Sequence, residues 1–329
     1  MIRIFANANY DFIGYRRYAY ILTAVLVTAG LIGLIARGLN YSVEFTGGTL
    51  VRVATSAPID MGQVRTGLDA QGVHGAEIQA FGGNREYVVR ARTAKVGTDA
   101  DDTQETTGAV RAALDQVLGS GTYSITKTEA VGPKVGAELR QKALFAILLS
   151  FVAVLLYLAY RFEWRFGVAA VVATAHDILL TLGFIAVMRL EVSLVVVGAV
   201  LSMVGCSLND TIIIFDRVRE DLRKMRNVTF AEVLNRAVNE TLPRSVLTHG
   251  TTLATLGSLA VFGGEVIRPF ALVMFFGVFT GTFSSIYIAP PVLLWVEQKW
   301  PGAAVKQLAG PRVAPKGPGA AGRKPQPAV

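Results

Sequence analysis

Charge is scarce in this chain. Asp, Glu, Lys and Arg make up 17% of its 329 residues, against roughly a quarter in soluble domains. Cysteine is scarcer still. Cys206 stands alone, so no disulfide can form within the chain, and any domain outside the cytoplasm must fold without covalent staples. The usual marks of chemistry are missing too. No Lys-Ser/Thr pair opening a helix follows Gly47 and Gly48, which read as a turn or strand start and not as a phosphate loop. No metal-ligand spacing, Ser/His/Asp set or dinucleotide fingerprint stands out. Neither an enzyme active site nor a cofactor is expected.

What the chain has is hydrocarbon. Hydrophobic residues make up 52% and the mean hydropathy is positive, as in a protein that crosses a membrane several times. The net charge of +8 does not mark a nucleic-acid binder. Lys and Arg gather in short segments beside apolar runs, which is how orientation in a membrane is set. Residues 1–17 form a polar-aromatic segment ending in Arg16 and Arg17, and 18–36 is apolar enough to span. No small-x-small cleavage site follows, so an uncleaved anchor with a cytoplasmic N-terminus is expected.

Between 37 and 141 the composition becomes that of a small soluble domain with its connectors. Alternation predicts strands at 49–54, 77–81, 86–90 and 122–130, with a hairpin around Gly82-Gly83-Asn84. Helical spacing predicts helices at 59–71 and 104–118, with 95–103 as a loop. The order β-α-β-β-α-β is the ferredoxin-like split pattern. Further apolar spans follow at 143–160, 166–188, 192–216, 245–262 and 269–296, within a membrane region of 142–296. A charged, helix-capable segment, 216–244, separates the fourth span from the fifth; Asp216, Arg217, Arg219 and Glu220 in it read as a solvated face. The last stretch, 297–329, reads as a disordered basic cytoplasmic tail able to touch anionic lipid. An N-terminus inside leaves the small domain outside, and the Arg- and Lys-rich turns then fall inside.

The fourth span carries Asn209 and Asp210 within its apolar run, sharing a small, polar face with Ser202 and Cys206. A carboxyl group there costs roughly 2.5–3.5 kcal/mol even on the mildest insertion scale, so it must face protein or water. Arg244, at the inner start of the fifth span, falls within ~10 Å of the same depth at 1.5 Å per residue. The two can meet, and protonating the acid would part them. Behind Arg244, Thr248, Thr251, Thr252 and Thr255 continue a hydroxyl-rich face with His249 beside it. In the third span Thr174, Asp177 and Thr181 share a face, with His176 adjacent. The competing reading makes Asp210 a polar clamp and Arg244 an interfacial snorkel. For His176, Asp177 and His249 the structural reading leads, since no partner is evident in the sequence.

Several runs resemble the SecF side of the SecD/SecF protein-export family. These are Glu44-Phe45-Thr46-Gly47-Gly48 after the first span and Val131-Gly132-Pro133-Lys134-Val135-Gly136-Ala137-Glu138-Leu139 before the second. His176-Asp177, the run from Ser207 through Asn209 and Asp210 to Arg217, and the run from Asn239 through Pro243 and Arg244 to Ser245 complete the set, spread over roughly 5–300. The resemblance implies six membrane helices, one half of a resistance–nodulation–division-like unit, with one small ferredoxin-like α+β periplasmic domain. It implies SecD as partner, association with the SecYEG channel and YajC, and unfolded preproteins as substrate at the bacterial inner membrane. It also implies that protons are the coupling ion, with Asp210 and Arg244 as the coupled charges. His176 and Asp177 carry over only as motif positions. A proton-coupled small-molecule or lipid exporter half and a passive assembly factor are the alternatives.

Overall fold

Arg16 and Arg17 open the first long helix, and everything apolar behind them winds into it: α1 (Arg16–Arg37). The computed structural model describes residues 9–71, 73, 76–80, 85–91 and 99–308. The hairpin turn at 82–84, part of the expected loop at 95–103 and the tail beyond 308 lie outside the described residues. After α1 come β1 (Asn40–Tyr41), α2 (Val43–Thr46), β2 (Gly48–Thr55), α3 (Met61–Ala70), β3 (Glu77–Ala80), β4 (Glu86–Ala91), α4 (Asp99–Leu118) and β5 (Tyr123–Val131). The chain then runs through α5 (Pro133–Arg161), α6 (Trp164–Val187), β6 (Glu191–Val192), α7 (Leu194–Lys224), α8 (Phe230–Phe262), α9 (Gly264–Tyr287), α10 (Ala289–Lys299) and α11 (Ala303–Leu308).

The small domain is a four-stranded antiparallel sheet in the order β3-β4-β2-β5, with α3 and α4 packed together beside it. Val51, Val53, Val64, Leu68, Val89, Val110 and Leu114 are its buried centre. Each such side chain contributes about 1.5–3 kcal/mol on burial, and these hold the unit together without a disulfide. Helix α4 begins at Asp99, ahead of the expected start at 104.

Among the described residues six helices are long and apolar enough to cross a membrane, and together they make the chain a multi-pass membrane protein. Two boundaries differ from the sequence expectation. Helix α7 does not stop at 216 but runs to Lys224, and the charged segment after it is mostly the start of α8 at Phe230. The Thr229 hydroxyl accepts from the Glu232 N–H while Glu232 accepts from the Thr229 N–H, a capping box that starts α8 well before the apolar run. Pro243 therefore sits inside a helix, not at its first turn. The final span divides at Ile288 into α9 and α10, because Pro290 and Pro291 supply no N–H to continue the ladder.

Two further expectations are corrected. The segment around Asp216 is not simply a solvated face. Arg161 donates to both oxygens of Asp216, at 2.9 and 2.7 Å, tying α5 to α7, and Arg217 pairs with Glu240 of α8. The tail is not disordered from its start either. Helix α11 packs against α7 with Leu308 buried, and the Leu308 carbonyl accepts from the Asn227 N–H at 3.1 Å. An apolar side chain with a seat in the core holds what composition alone had assigned to solvent.

Membrane helices gain little from burying one another's apolar surface, since lipid is as apolar as leucine; close approach and polar contacts decide their packing. Gly30 of α1 meets Gly183 of α6 so closely that a Cβ on Gly183 would lie 2.6 Å from the Gly30 Cα. At the domain end, Gly47 and Gly136 meet in the same way: a Cβ on Gly136 would fall 2.9 Å from the Gly47 nitrogen. The two motifs flanking the small domain are thus in contact. Gly47, Gly48 and Gly136 serve backbone geometry, with Gly47 at φ 71° and Gly48 at φ 121°. Gly132 and Pro133 begin α5, with Pro133 in the first turn, while Phe45 is buried. Glu138 lies outside this contact, paired to Lys142 at 2.9 Å on an exposed helix face.

Candidate functional site

Helix α7 begins at the small domain, and Ser207 and Asp210 are among the polar residues buried along its length. The first, Ser207, points toward α6. There the Asp177 carboxyl group, with no exposed surface, accepts from Ser207 Oγ at 2.5 Å and from Ser284 Oγ of α9 at 2.6 Å. His176 Nδ1 lies 2.9 Å from its other oxygen. Three helices therefore converge on one carboxyl group, each of whose oxygens has a polar partner. Thr174 and Thr181 are buried on the same face of α6, as the helical spacing predicts. Sequence reasoning missed Ser207 and Ser284 as members of this cluster. Hydroxyls in membrane helices usually bond back to their own backbone, so nothing in the residue type marks the ones that reach across.

Asp210 lies one turn further along α7, about 24 Å from the helix start at 1.5 Å per residue. It is equally buried, at 3% exposure, but is held differently. Its Oδ2 is buried with no hydrogen-bond partner among the described residues, and the nearest cation-forming atom is His249 Nδ1 at 3.2 Å. Ser245 of α8 is buried on the same helix face as His249. On its far side His249 Nδ1 meets Thr282 Oγ1 of α9 at 2.6 Å, and that hydroxyl lies 2.7 Å from the Val278 carbonyl. The site is thus built from α7, α8 and α9 at the position where α9 packs against both others.

The anticipated contact between Asp210 and Arg244 is not present. Arg244 is exposed and makes no ion pair among the described residues. The reason is helical phase. Thr241, Ser245 and His249 recur on the buried face of α8, whereas Arg244, Thr248, Thr251 and Thr255 recur on its exposed face. Matching depth was inferred correctly from the chain, but azimuth puts histidine, not arginine, beside the acid. The threonines are likewise self-satisfied: Thr251, Thr252 and Thr255 each donate to a carbonyl in the preceding turn. The polar face expected on α7 also divides. Ser202 and Asn209 are exposed, Cys206 is half-buried, and Asp210 turns inward.

The small domain is strapped to the start of α7. Strand β1 pairs in parallel with β6, and Arg90 of β4 meets Glu191 at 2.6 Å. Burial pushes the Glu191 carboxyl above its ordinary range, and the Arg90 guanidinium only partly offsets this. Glu44 completes the strap by accepting from the Leu194 N–H at 2.6 Å, at the first turn of α7. A carboxylate at that end faces the positive pole of the helix dipole. Beneath this junction lies a cleft lined by Glu44, Arg52, Arg90, Lys127, Glu129 and Glu191. At the opposite end of the bundle, Asn239 and Asn235 of α8 clasp the backbone of Tyr10 and Ile13, at 2.8 and 2.9 Å. No group of metal-binding side chains occurs among the described residues.

This architecture has close relatives. Residues 110–299 match the family described as "Protein export membrane protein SecD/SecF, C-terminal", and 32–59 match the SecD/SecF GG motif. The protein translocase subunit SecF of Gemmatimonas aurantiaca is 52% identical over 92% of this chain and 91% of its own length. That of Magnetococcus marinus is 40% identical over 94% of this chain and 98% of its own. Among solved structures, SecDF of Thermus thermophilus, titled a translocon-associated membrane protein, superposes with a TM-score of 0.77 at 34% identity over 89% of this chain. A SecDF structure in a super-membrane-facing form gives 0.65 at 35% identity. The chain spans about two fifths of each SecDF chain, 39% and 40%. Six membrane-length helices, the GG motif at the strap and near-full-length identity to SecF subunits together show that the chain belongs to the SecD/SecF protein-export family.

Proposed function

We propose that this chain is the SecF subunit of a protein translocase, joins SecD to form a twelve-helix unit, and couples proton movement to the export of unfolded preproteins. The observation that carries this reading is Asp210: a buried carboxyl group in a membrane-length helix with one oxygen that has no hydrogen-bond partner among the described residues. A purely structural carboxyl group gains by filling its lone pairs, as Asp177 does. One left open can take up a proton, and with it lose its charge and its pull on neighbouring cations. In this reading Arg244, on the exposed face of α8, engages a helix of SecD and not its own bundle. Protonation at Asp210 then alters how α7 sits against α8 and the SecD helices. Because Glu44, β1 and Arg90 grip the start of α7, that movement re-poses the small domain.

In this reading the small domain is periplasmic, and the basic end of the bundle, with Arg161, Arg165 and Arg217, faces the cytoplasm with both termini. The membrane is the bacterial inner membrane, SecYEG and YajC are neighbours, and the proton is the sole coupling ion, with no cofactor and no catalysis by the chain itself. The deciding experiment is Asp210→Asn in the complex. Abundance and SecD association stay at the wild-type level while the gain in export from the proton motive force is lost. Undiminished gain in that variant refutes the coupling, and a loss that merely tracks falling complex abundance makes the chain a passive assembly factor.

A further inference from the structure

We infer that His249 is the group with which Asp210 exchanges its proton, and that Thr282 prepares the ring nitrogen for the exchange; this rests on the proton-coupling reading above. Two distances carry it. His249 Nδ1 lies 3.2 Å from the open Asp210 Oδ2 and 2.6 Å from Thr282 Oγ1. The same nitrogen thus faces both the acid and a hydroxyl.

Thr282 has one hydrogen and two acceptors within reach, His249 Nδ1 and the Val278 carbonyl at 2.7 Å. When Nδ1 is bare, the hydroxyl can donate to it and hold the ring with its hydrogen on Nε2. When Nδ1 carries hydrogen, the ring donates to Thr282 Oγ1 and the hydroxyl donates to Val278. Both protonation states of the nitrogen are therefore satisfied without moving a helix. The step balances as a plain proton transfer. Thr282 first turns its hydrogen to the Val278 carbonyl, freeing the Nδ1 lone pair, and Asp210 Oδ2–H gives its proton to that lone pair, leaving a carboxylate and an imidazolium. The ring then releases its Nε2 proton to water and is left neutral with hydrogen on Nδ1. Imidazole suits the task because its ordinary titration lies near neutral pH.

The surroundings leave this pair to itself. From α7 the facing groups are Asp210 and the half-buried Cys206 thiol one turn away. Helix α9 offers hydroxyls here. Its Tyr287 stacks on Phe283, and its Arg268 bonds the Ala260 carbonyl near the other end of the bundle. On α10, Glu297 accepts from the Gly302 N–H at 2.7 Å and sits near Arg165. His176 and Asp177 of α6 engage each other. On α8 itself, Ser245 shares the buried face with His249, and Arg244 points away.

The test uses the chain reconstituted with SecD in proteoliposomes, reading proton flux under an imposed pH gradient, normalised to the complex recovered. His249→Asn sets an amide near the Nδ1 position but cannot carry the proton. Flux in this variant falls by roughly tenfold or more, below what a positioned proton-transfer group supplies, and its pH profile flattens. Thr282→Val keeps the shape, removes the hydroxyl and shifts the midpoint of that profile. The double variant Asp210→Asn/His249→Asn is no worse than Asp210→Asn alone, as expected for two members of one unit. Wild-type flux and an unchanged pH profile in His249→Asn overturn the inference. If Asp210→Asn loses flux while His249→Asn keeps it, only the role of His249 fails; if Asp210→Asn also keeps its flux, the coupling reading itself falls.

Discussion

Asp177 and Asp210 are both acids inside a membrane-length helix bundle, and both are almost wholly buried. Asp177 is saturated: two serine hydroxyls and a histidine nitrogen converge on it from three helices. Asp210 keeps an oxygen with no hydrogen bond among the described residues, beside a histidine whose shorter contact is with Thr282. The difference teaches that burial does not separate a structural acid from a working one. Between these two acids, lone-pair occupancy marks the contrast. A filled carboxyl group is a rivet, whereas one left short is a place where a proton can be gained or lost at small cost to the surrounding structure.

The comparison breaks most visibly at the rivet. Asp177→Ala leaves two buried serines and a histidine without their acceptor, and losing one partner of such a buried network costs about 3–5 kcal/mol. The amount of folded chain recovered from membranes falls sharply, while Asp210→Asn leaves it unchanged. Equal recovery of the two variants would erase the distinction. Ser207→Ala and Ser284→Ala sharpen it. Each removes one hydrogen bond to the acid, worth about 1.5–3 kcal/mol when the acceptor is charged, and thermal unfolding in mild detergent reads the loss.

Smaller effects come from the strap. Glu44→Gln takes the charge from the start of α7 and costs about 0.3–1 kcal/mol of helix-end stabilisation. The complex stays assembled, but the proton-dependent gain in export drops although Asp210 is intact. An undiminished gain would show that the strap transmits nothing. Smallest is the pH response of the junction at Glu191, whose carboxyl titrates above its ordinary range because it is buried. A raised carboxyl favours the folded junction in its protonated form. That contribution is fully present below the ordinary glutamate value and is lost as the pH rises through the raised one. Hydrogen exchange at β1 and β6 is therefore more protected at the acid end of that window, and Glu191→Gln removes the dependence.

Much of this was legible before any coordinates. Six apolar runs, the β-α-β-β-α-β order and the clustering of Arg and Lys are local patterns, so a linear reading recovers them. The helix extensions were harder. The capping box at Thr229 and Glu232 starts α8 in polar sequence, where hydropathy gives no signal. Arg244 was the instructive case, because axial depth adds up residue by residue along a helix, while which face turns inward is set by packing against the neighbouring helices. In α8 that packing turns Ser245 and His249 inward and Arg244 outward.

The sequence alone determined that this is a membrane protein with one small domain between its first two spans, and that Asp210 is an acid placed deep in a span. Composition and periodicity suffice for that, since water and lipid select side chains one segment at a time. Only the tertiary structure decided that Ser207 and Ser284 seal Asp177, that His249 and Thr282 stand beside Asp210, and that Glu44 grips α7. Those are contacts between segments far apart in the chain, fixed by the rotation of each helix about its own axis within the packed bundle.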